Sequence, residues 1–322
     1  MHASTEGEDD RSTCLIALDW GTSSLRAYRL GEGGAVLEAR TEPWGITQLP
    51  PGGFSGAFEA VAADWRRRAP RAGVVASGMI GSAQGWEEAP YCPVPAGALE
   101  LARNLVPAGG RALLVVPGIV QRGDRPDVMR GEETQIIGAL CMHPELSSDS
   151  VLLLPGTHSK WAHVSGGRIR GFSTYMTGEL FAVLSTTSIL GRLAREAKCQ
   201  PSPEQASDAF ARGVLAARDA AQGIAPLLFS ARALVLTGML AAETSLEYLS
   251  GLLIGDEVRC GLATGAAPSA LIGDAGLCAR YRAALAVAGA GDVGIIADAA
   301  PAGLWEIAQH AVAGATTAEV VA

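Results

Sequence analysis

A chain of 322 residues that is 48% hydrophobic and 18% charged can bury a substantial core, and its length suits two domains better than one. A formal net charge of −8 with 5% aromatic residues argues against a nucleic-acid surface, because no segment supplies the basic face that phosphate neutralisation needs. Six scattered cysteines without metal-like spacing point to reduced thiols, and with no leader or membrane-length apolar run the expectation is a cytoplasmic protein without a membrane partner.

In chain order, "LIALDWGTSSLRAYRL" (15–30) predicts strands at 15–18 and 25–30 around a tight turn, then a glycine-rich turn at 31–34 and a third strand at 35–40. A helix is predicted over 54–68, strands at 73–78 and 112–118, and a helix over 131–142, "GEETQIIGALCM". The stretch "VLLLPGTHSKWAHVSGGRIRGF" (151–172) repeats the opening plan of strand, Gly-Thr turn, strand, Gly-Gly turn and strand. Gly156 and Thr157 fall 135 residues after Gly21 and Thr22. Helices near 178–197 and 207–222, a strand "ALVLTG" at 233–238, a helix through about 258 and further strand and helix pairs follow. The pattern predicts an α/β protein of duplicated β-meander plus βα units, with an N-terminal lobe over 1–140, a C-terminal lobe over 141–322 and a ligand cleft between them. The alternative is that short hairpins look alike in any α/β chain.

A Gly-Thr-Ser turn gathers backbone N–H groups and hydroxyls in a short arc, which suits phosphate oxygens. Asp19 at the mouth of the first turn is a candidate Mg²⁺ ligand, since magnesium prefers carboxylate and water oxygens and bridges phosphates. The second turn carries Leu154 in that place but adds Ser159 and Lys160, one of only two lysines. A metal-handling turn and a charge-neutralising turn together fit phosphoryl transfer. A phosphoryl acceptor also needs a general base, for which "DVMRGEET" (127–134) offers Asp127, Glu132 and Glu133; acids there also complement a helix dipole. The loop "ASGMIGSAQGWEEAPY" (76–91), with Ser77, Gly78, Met79, Trp86 and Tyr91, could line a sugar pocket, although Trp86 reads equally as loop packing. No P-loop or dinucleotide fingerprint is present.

With these residues in hand, the chain resembles the 2-dehydro-3-deoxygalactonokinases of the sugar kinase and actin superfamily. The resemblance runs from "LDWGTSSLRAY" through "DVMRGEETQIIGAL" and "LPGTHSKWAHVSGGRI" to "LIGDAGLCARYRAAL". It implies a two-lobed actin-like (ribonuclease H-like) fold, and transfer of the ATP γ-phosphoryl group to the 6-hydroxyl of 2-dehydro-3-deoxy-galactonate with Mg²⁺. By motif, Asp19, Gly21, Thr22 and Ser23 resemble a first phosphate loop, Gly156, Thr157, Ser159 and Lys160 a second, and "LTGML" around Gly238 an adenosine-side turn. Related kinases place an Asp base after a Gly where Glu132 follows Gly131 here, so the base stays open between Glu132, Glu133 and Asp127. A carboxylate substrate requires local cations, for which Arg130, Lys160 and Arg26 are candidates, an arginine fork matching the acid best. Other readings stay open: a kinase for a different keto-deoxy sugar acid, a same-fold phosphatase or ATPase, or a sugar sensor. The sensor is disfavoured because thirteen polar residues before Cys14 cannot form a helix-turn-helix. A homodimer is open too.

Overall fold

The computed structural model describes residues 13–321, with side chains as far as residue 313. Most of the polar leading segment weighed for a helix-turn-helix lies outside the described residues. The chain forms two compact units.

Unit 1 takes the chain up to residue 150. Its elements are β1 (Leu15–Trp20), β2 (Leu25–Leu30), β3 (Val36–Glu42), α1 (Gly53–Arg68), β4 (Gly73–Gly78), β5 (Tyr91–Pro93), α2 (Ala98–Ala102), β6 (Val106–Ala108), β7 (Leu113–Val115), β8 (Gly118–Gln121), β9 (Asp127–Met129) and α3 (Glu132–Met142). The main sheet has the order β3-β2-β1-β4-β7-β6. Strand β1 runs antiparallel to β2 and parallel to β4. Its first four residues are all buried, as a central strand covered on both faces requires. On α1, Phe58, Val61, Ala62 and Trp65 recur at helical spacing and bury one face, while Arg66 to Arg68 end the helix where cations suit its dipole. A small sheet, β5-β8-β9, carries the chain into α3.

Unit 2 opens with β10 (Asp149–Leu154), β11 (Ser159–Ser165) and β12 (Arg168–Tyr175), the hairpin tip 163–172 belonging to unit 1, where Ala96 and Ile169 exchange backbone hydrogen bonds of 3.1 and 2.8 Å. Then come α4 (Thr177–Thr186), α5 (Arg192–Glu196), α6 (Pro203–Arg218), α7 (Ser230–Leu236), α8 (Ser245–Leu262), β13 (Ala270–Ile272), α9 (Ala275–Val287) and β14 (Gly294–Ile296). The sheet order, β12-β11-β10-β13-β14, repeats β3-β2-β1-β4-β7 of unit 1. The parallel partner of β10 is β13, as β4 is of β1. The fold is thus the expected α/β duplication of an actin-like protein.

Two expectations are corrected. The run 233–238 is not a strand: its first four residues close α7, because a short apolar run has no diagnostic period and Ala and Leu are strong helix formers. The strand of the second repeat comes 37 residues later, at β13. The division at residue 140 is also displaced. The chain leaves unit 1 at residue 150, and the last helix, α10 (Ala300–Val321), returns to it. It packs against α3 at a glycine crossing, where a β-carbon on Gly138 would overlap the Ala299 carbonyl and one on Gly303 the Thr134 carbonyl.

Candidate active site

The first hydroxyl-rich turn joins β1 to β2. The Gly21 amide donates to the Ser24 carbonyl at 2.9 Å, leaving Thr22 and Ser23 exposed. Residues 45–47 clasp the turn: the Ile46 amide reaches the Gly21 carbonyl at 3.1 Å, and Thr47 gives its amide (3.3 Å) and hydroxyl (2.9 Å) to the Thr22 carbonyl. With these carbonyls occupied, the turn faces solvent with the hydroxyls of Thr22 and Ser23. Asp19 stands in register with Arg26 on β2 and Ser77 on β4. Burial raises its pKa most, Arg26 opposes the rise, and the charge of Glu132 adds to it. Asp19 and Glu132 are therefore electrostatic neighbours, although 113 residues separate them in sequence.

Glycine makes that neighbourhood. Gly78 ends β4 at φ +94°, and Gly131 precedes α3 at φ +107°. A β-carbon on Gly131 would stand 3.3 Å from the Gly78 α-carbon, so the loop after β4 lies against the turn 130–133. In that turn Arg130 donates from Nη2 to the Ala89 carbonyl at 2.8 Å, with its guanidinium 4.3 Å over the Tyr91 ring. Its Nε and Nη1 are buried without a partner, as are the hydroxyls of Ser77 and Ser82. Nη1 lies beside Gly81, where a β-carbon would come within 2.9 Å of it. Four buried polar atoms without a partner thus gather around one short loop. Met79 is half-buried in the helical turn that follows Gly78.

The three candidate bases separate. Glu133 is wholly buried, accepts the Gly131 amide at 2.7 Å, and is pushed up to about 8 by burial and by Glu132. Asp127 accepts its own neighbour's amide, Val128, at 2.8 Å on edge strand β9. Glu132 is half-buried, holds the Arg130 amide at 3.0 Å, and is the acid whose charge reaches Asp19. Trp86 packs instead in the core, stacked on Phe54 at 6.1 Å and edge-on to Trp20 and Phe58. That packing leaves Trp86 half-buried, in keeping with the loop-packing reading.

In unit 2 the second turn exposes Thr157 and His158, and the N-terminus of α4 backs it: the Glu179 amide donates to the Thr157 carbonyl at 3.0 Å. Ser159 and Lys160, expected to face phosphate, are buried. The Ser159 hydroxyl lies 2.8 Å from the Tyr281 hydroxyl, and the Lys160 ammonium is 3.1 Å from the His158 carbonyl. As neighbours on β11 they point to opposite faces, and both are buried because the first four residues of that strand are covered on both sides. A cavity of about 270 Å³ adjoins the turn, lined by Gly156, Thr157, Thr177, Phe181, Leu277 and Tyr281 among others.

Gly238, at φ +71°, directly follows the Thr237 cap of α7 and lies outside the lining of that cavity. The glycine that stands after β13, as Gly78 stands after β4, is Gly273, with φ +136°; a β-carbon there would lie 3.7 Å from the Pro155 carbonyl, beside the second turn. Its signal was "ALIGDAG", an apolar run closed by glycine and a helix-capping Asp, which parallels "VVASGMIG". Ser82 and Gly273 were missed because the sequence does not reveal which hydroxyl or glycine the fold leaves beside a turn.

Among the described residues no group of three His, Cys, Asp or Glu side chains is placed to hold a metal, and no helix is long and apolar enough to cross a membrane. The model of the 2-keto-3-deoxy-galactonokinase family matches residues 19–307. A curated 2-dehydro-3-deoxygalactonokinase from Escherichia coli is 38% identical over 302 residues, covering 92% of this chain and 98% of the relative. A Rhizobium meliloti relative, named a probable 2-dehydro-3-deoxygalactonokinase, is 40% identical over 279 residues, covering 84% of this chain and 88% of its own. A crystal structure from Sinorhizobium meliloti, of a protein proposed to be a 2-dehydro-3-deoxygalactonokinase, superposes with a TM-score of 0.82 at 36% identity, covering 92% of this chain and 98% of the other. With the duplicated sheet and its two Gly-Thr turns, these matches establish that the chain belongs to the 2-keto-3-deoxy-galactonokinase family.

Proposed function

We propose that this chain transfers the γ-phosphoryl group of ATP to the 6-hydroxyl of 2-dehydro-3-deoxy-D-galactonate, giving its 6-phosphate in galactonate catabolism. The observation that carries the reading is the turn 130–133, where a guanidinium with two unpaired N–H groups adjoins the one half-buried carboxylate that reaches Asp19. Arg130 gives the sugar acid's carboxylate a charge-assisted hydrogen bond, and Tyr91 keeps the guanidinium plane fixed. The loop of Ser77, Gly78 and Met79, with the Ser82 hydroxyl, orients the sugar. Glu132 accepts the proton of the attacking hydroxyl; a positioned base contributes about 10²- to 10⁴-fold. Glu133, held on the Gly131 amide, fixes the turn on which Glu132 stands.

Thr22 and Ser23 offer hydroxyls to phosphate oxygens, and within the second unit Gly156 and Thr157 form a phosphate turn of their own. The adjoining cavity and the Gly273 turn take the adenosine. Asp19 suits Mg²⁺: its carboxylate is crowded by Glu132, and a divalent cation relieves that repulsion. Bound there, the ion would neutralise phosphate charge as it moves toward the leaving group.

The test is ADP release from MgATP with a panel of keto-deoxy sugar acids that includes the gluconate epimer. Release that depends on the galactonate-derived acid, with a 6-phosphorylated product, supports the reading. Release independent of any acceptor makes the chain an ATPase. Preference for another acid overturns the substrate assignment and leaves the phosphotransferase intact.

A further inference from the structure

The second turn has a carboxylate of its own, which comes from far along the chain and lies beneath it. Glu257, on α8, is 2% exposed. Its Oε1 accepts Trp161 Nε1–H at 3.0 Å, and its Oε2 accepts the Tyr281 hydroxyl at 2.6 Å. Tyr281 lies 2.8 Å from the Ser159 hydroxyl, and Ser159 Oγ accepts the Gly156 amide at 3.4 Å. The hydroxyl of Thr177, at the start of α4, also bonds to Glu257. One buried acid thus gathers β11, α4, α8 and α9 under the Gly156–Thr157 turn.

Hydrogen-bond direction follows from the chemistry of the end group. An ionised carboxylate only accepts, so Tyr281 must donate to it. The Tyr281 oxygen then accepts from Ser159, whose lone pairs are left facing the Gly156 amide. Replace the carboxylate by an amide and one of its two ends becomes a donor. Either Trp161 or Tyr281 then loses its acceptor, and a reversed tyrosine turns the serine proton toward the Gly156 N–H. Burial pushes the Glu257 pKa up, while Thr177, Tyr281, Trp161 and Ser159 hold it down. A buried acid with this many donors is a device for orientation, since removing any partner leaves a desolvated group.

We infer that Glu257 is a positioning residue for the nucleotide: through Tyr281 and Ser159 it fixes the Gly156 amide and with it the shape of the second phosphate turn. Glu257 touches no substrate; it acts on ATP affinity through its partners, by way of Ser159 on the turn and by way of Tyr281 and Thr177 on the adjoining cavity. The inference rests on the reading of that turn as a phosphate holder, which Thr157→Ala tests by itself.

The experiment measures KM for MgATP, KM for the sugar acid, kcat and thermal midpoint for Glu257→Gln, Ser159→Ala, their double variant and Thr157→Ala. Glu257→Gln and Ser159→Ala should each raise the ATP KM about tenfold, with the sugar-acid KM within about twofold. The double variant should be scarcely worse than either single, because both break one path. Ser159 is fully buried, so an ATP effect there cannot be a lost direct contact. Folded Glu257→Gln and Ser159→Ala proteins with a lowered thermal midpoint but unchanged ATP KM overturn the inference, leaving a purely structural network. If Glu257→Gln does not fold, Ser159→Ala decides alone. If Thr157→Ala also leaves the ATP KM unchanged, the phosphate reading of the turn fails; if it raises it while Ser159→Ala does not, the positioning role alone fails.

Discussion

The two Gly-Thr turns begin from one backbone plan and diverge in what stands behind them. In unit 1 the strand entering the turn carries Asp19, partly open to solvent, and the turn is clasped by the segment 45–47, whose Thr47 is exposed. In unit 2 the matching position is Leu154, 3% exposed, and the acid buried beneath the turn is Glu257, contributed by a helix. A carboxylate at the mouth can touch a cation or a proton. One sealed beneath can only orient its neighbours. Duplication supplied two related turns, and they differ in where an acid stands: at the mouth of the first and beneath the second.

The largest expected effect tests that division directly. Asp19→Asn keeps the shape of the first turn and removes a charge that nothing else in the turn replaces. Its kcat should fall at least about 100-fold, with the ATP KM changed by no more than a few-fold, measured at saturating magnesium. A variant with normal kcat would show that the first turn is no more reactive than the second.

Next in size is a pH effect confined to unit 1. The folded pKa of Glu133, about 8, lies above the ordinary 4.5, so the native protein binds more protons than the unfolded chain between those values. Stability should therefore be highest near the lower end of that window and fall as pH rises through it, by on the order of a few kcal/mol from this one group. Glu133→Gln keeps an acceptor for the Gly131 amide and removes the ionisation. Denaturant melts from pH 5 to pH 9 should show a flatter profile for the variant. Parallel profiles would mean that Glu133 titrates normally and that its burial is relieved in solution.

Much of this was legible beforehand, and what was not has a physical cause. The strands around both turns, the helix after Gly131 and the duplication itself were carried by period and by glycine spacing, which act over a few residues. The burial of both Ser159 and Lys160 was not, because these neighbours point to opposite faces of β11 and the sequence does not say that both faces are covered there. The seven-residue run of α7 had no period long enough to tell helix from strand. Glu257 carried no signal, since an acid in an apolar helix acquires its meaning from Trp161 and Tyr281, 96 residues before it and 24 after it.

The acceptor side offers the next test. Arg130→Ala should raise the sugar-acid KM by roughly 10- to 100-fold, the worth of one or two charge-assisted hydrogen bonds, while the ATP KM stays put. Arg130→Lys restores charge without the planar fork and should recover only part of the loss. If both variants bind the acid normally, the guanidinium serves only to pin Ala89 and Tyr91.

The smallest expected effect distinguishes how the two turns are clasped. Thr47→Val preserves the shape of the side chain and the amide bond to the Thr22 carbonyl, and deletes only the hydroxyl bond of 2.9 Å. Because that contact is exposed, water can replace it, so the loss should be at most about 1 kcal/mol. It should appear as a change in kcat of a few-fold, with faster hydrogen exchange at the Ile46 and Thr47 amides and none at Glu179, whose amide holds the second turn. Water cannot make the same repair beneath Ser159, which is why the equivalent deletion there should cost several times more. Equal effects from Thr47→Val and Ser159→Ala would mean that exposure does not separate the two cradles, and the asymmetry would then reduce to Asp19 alone.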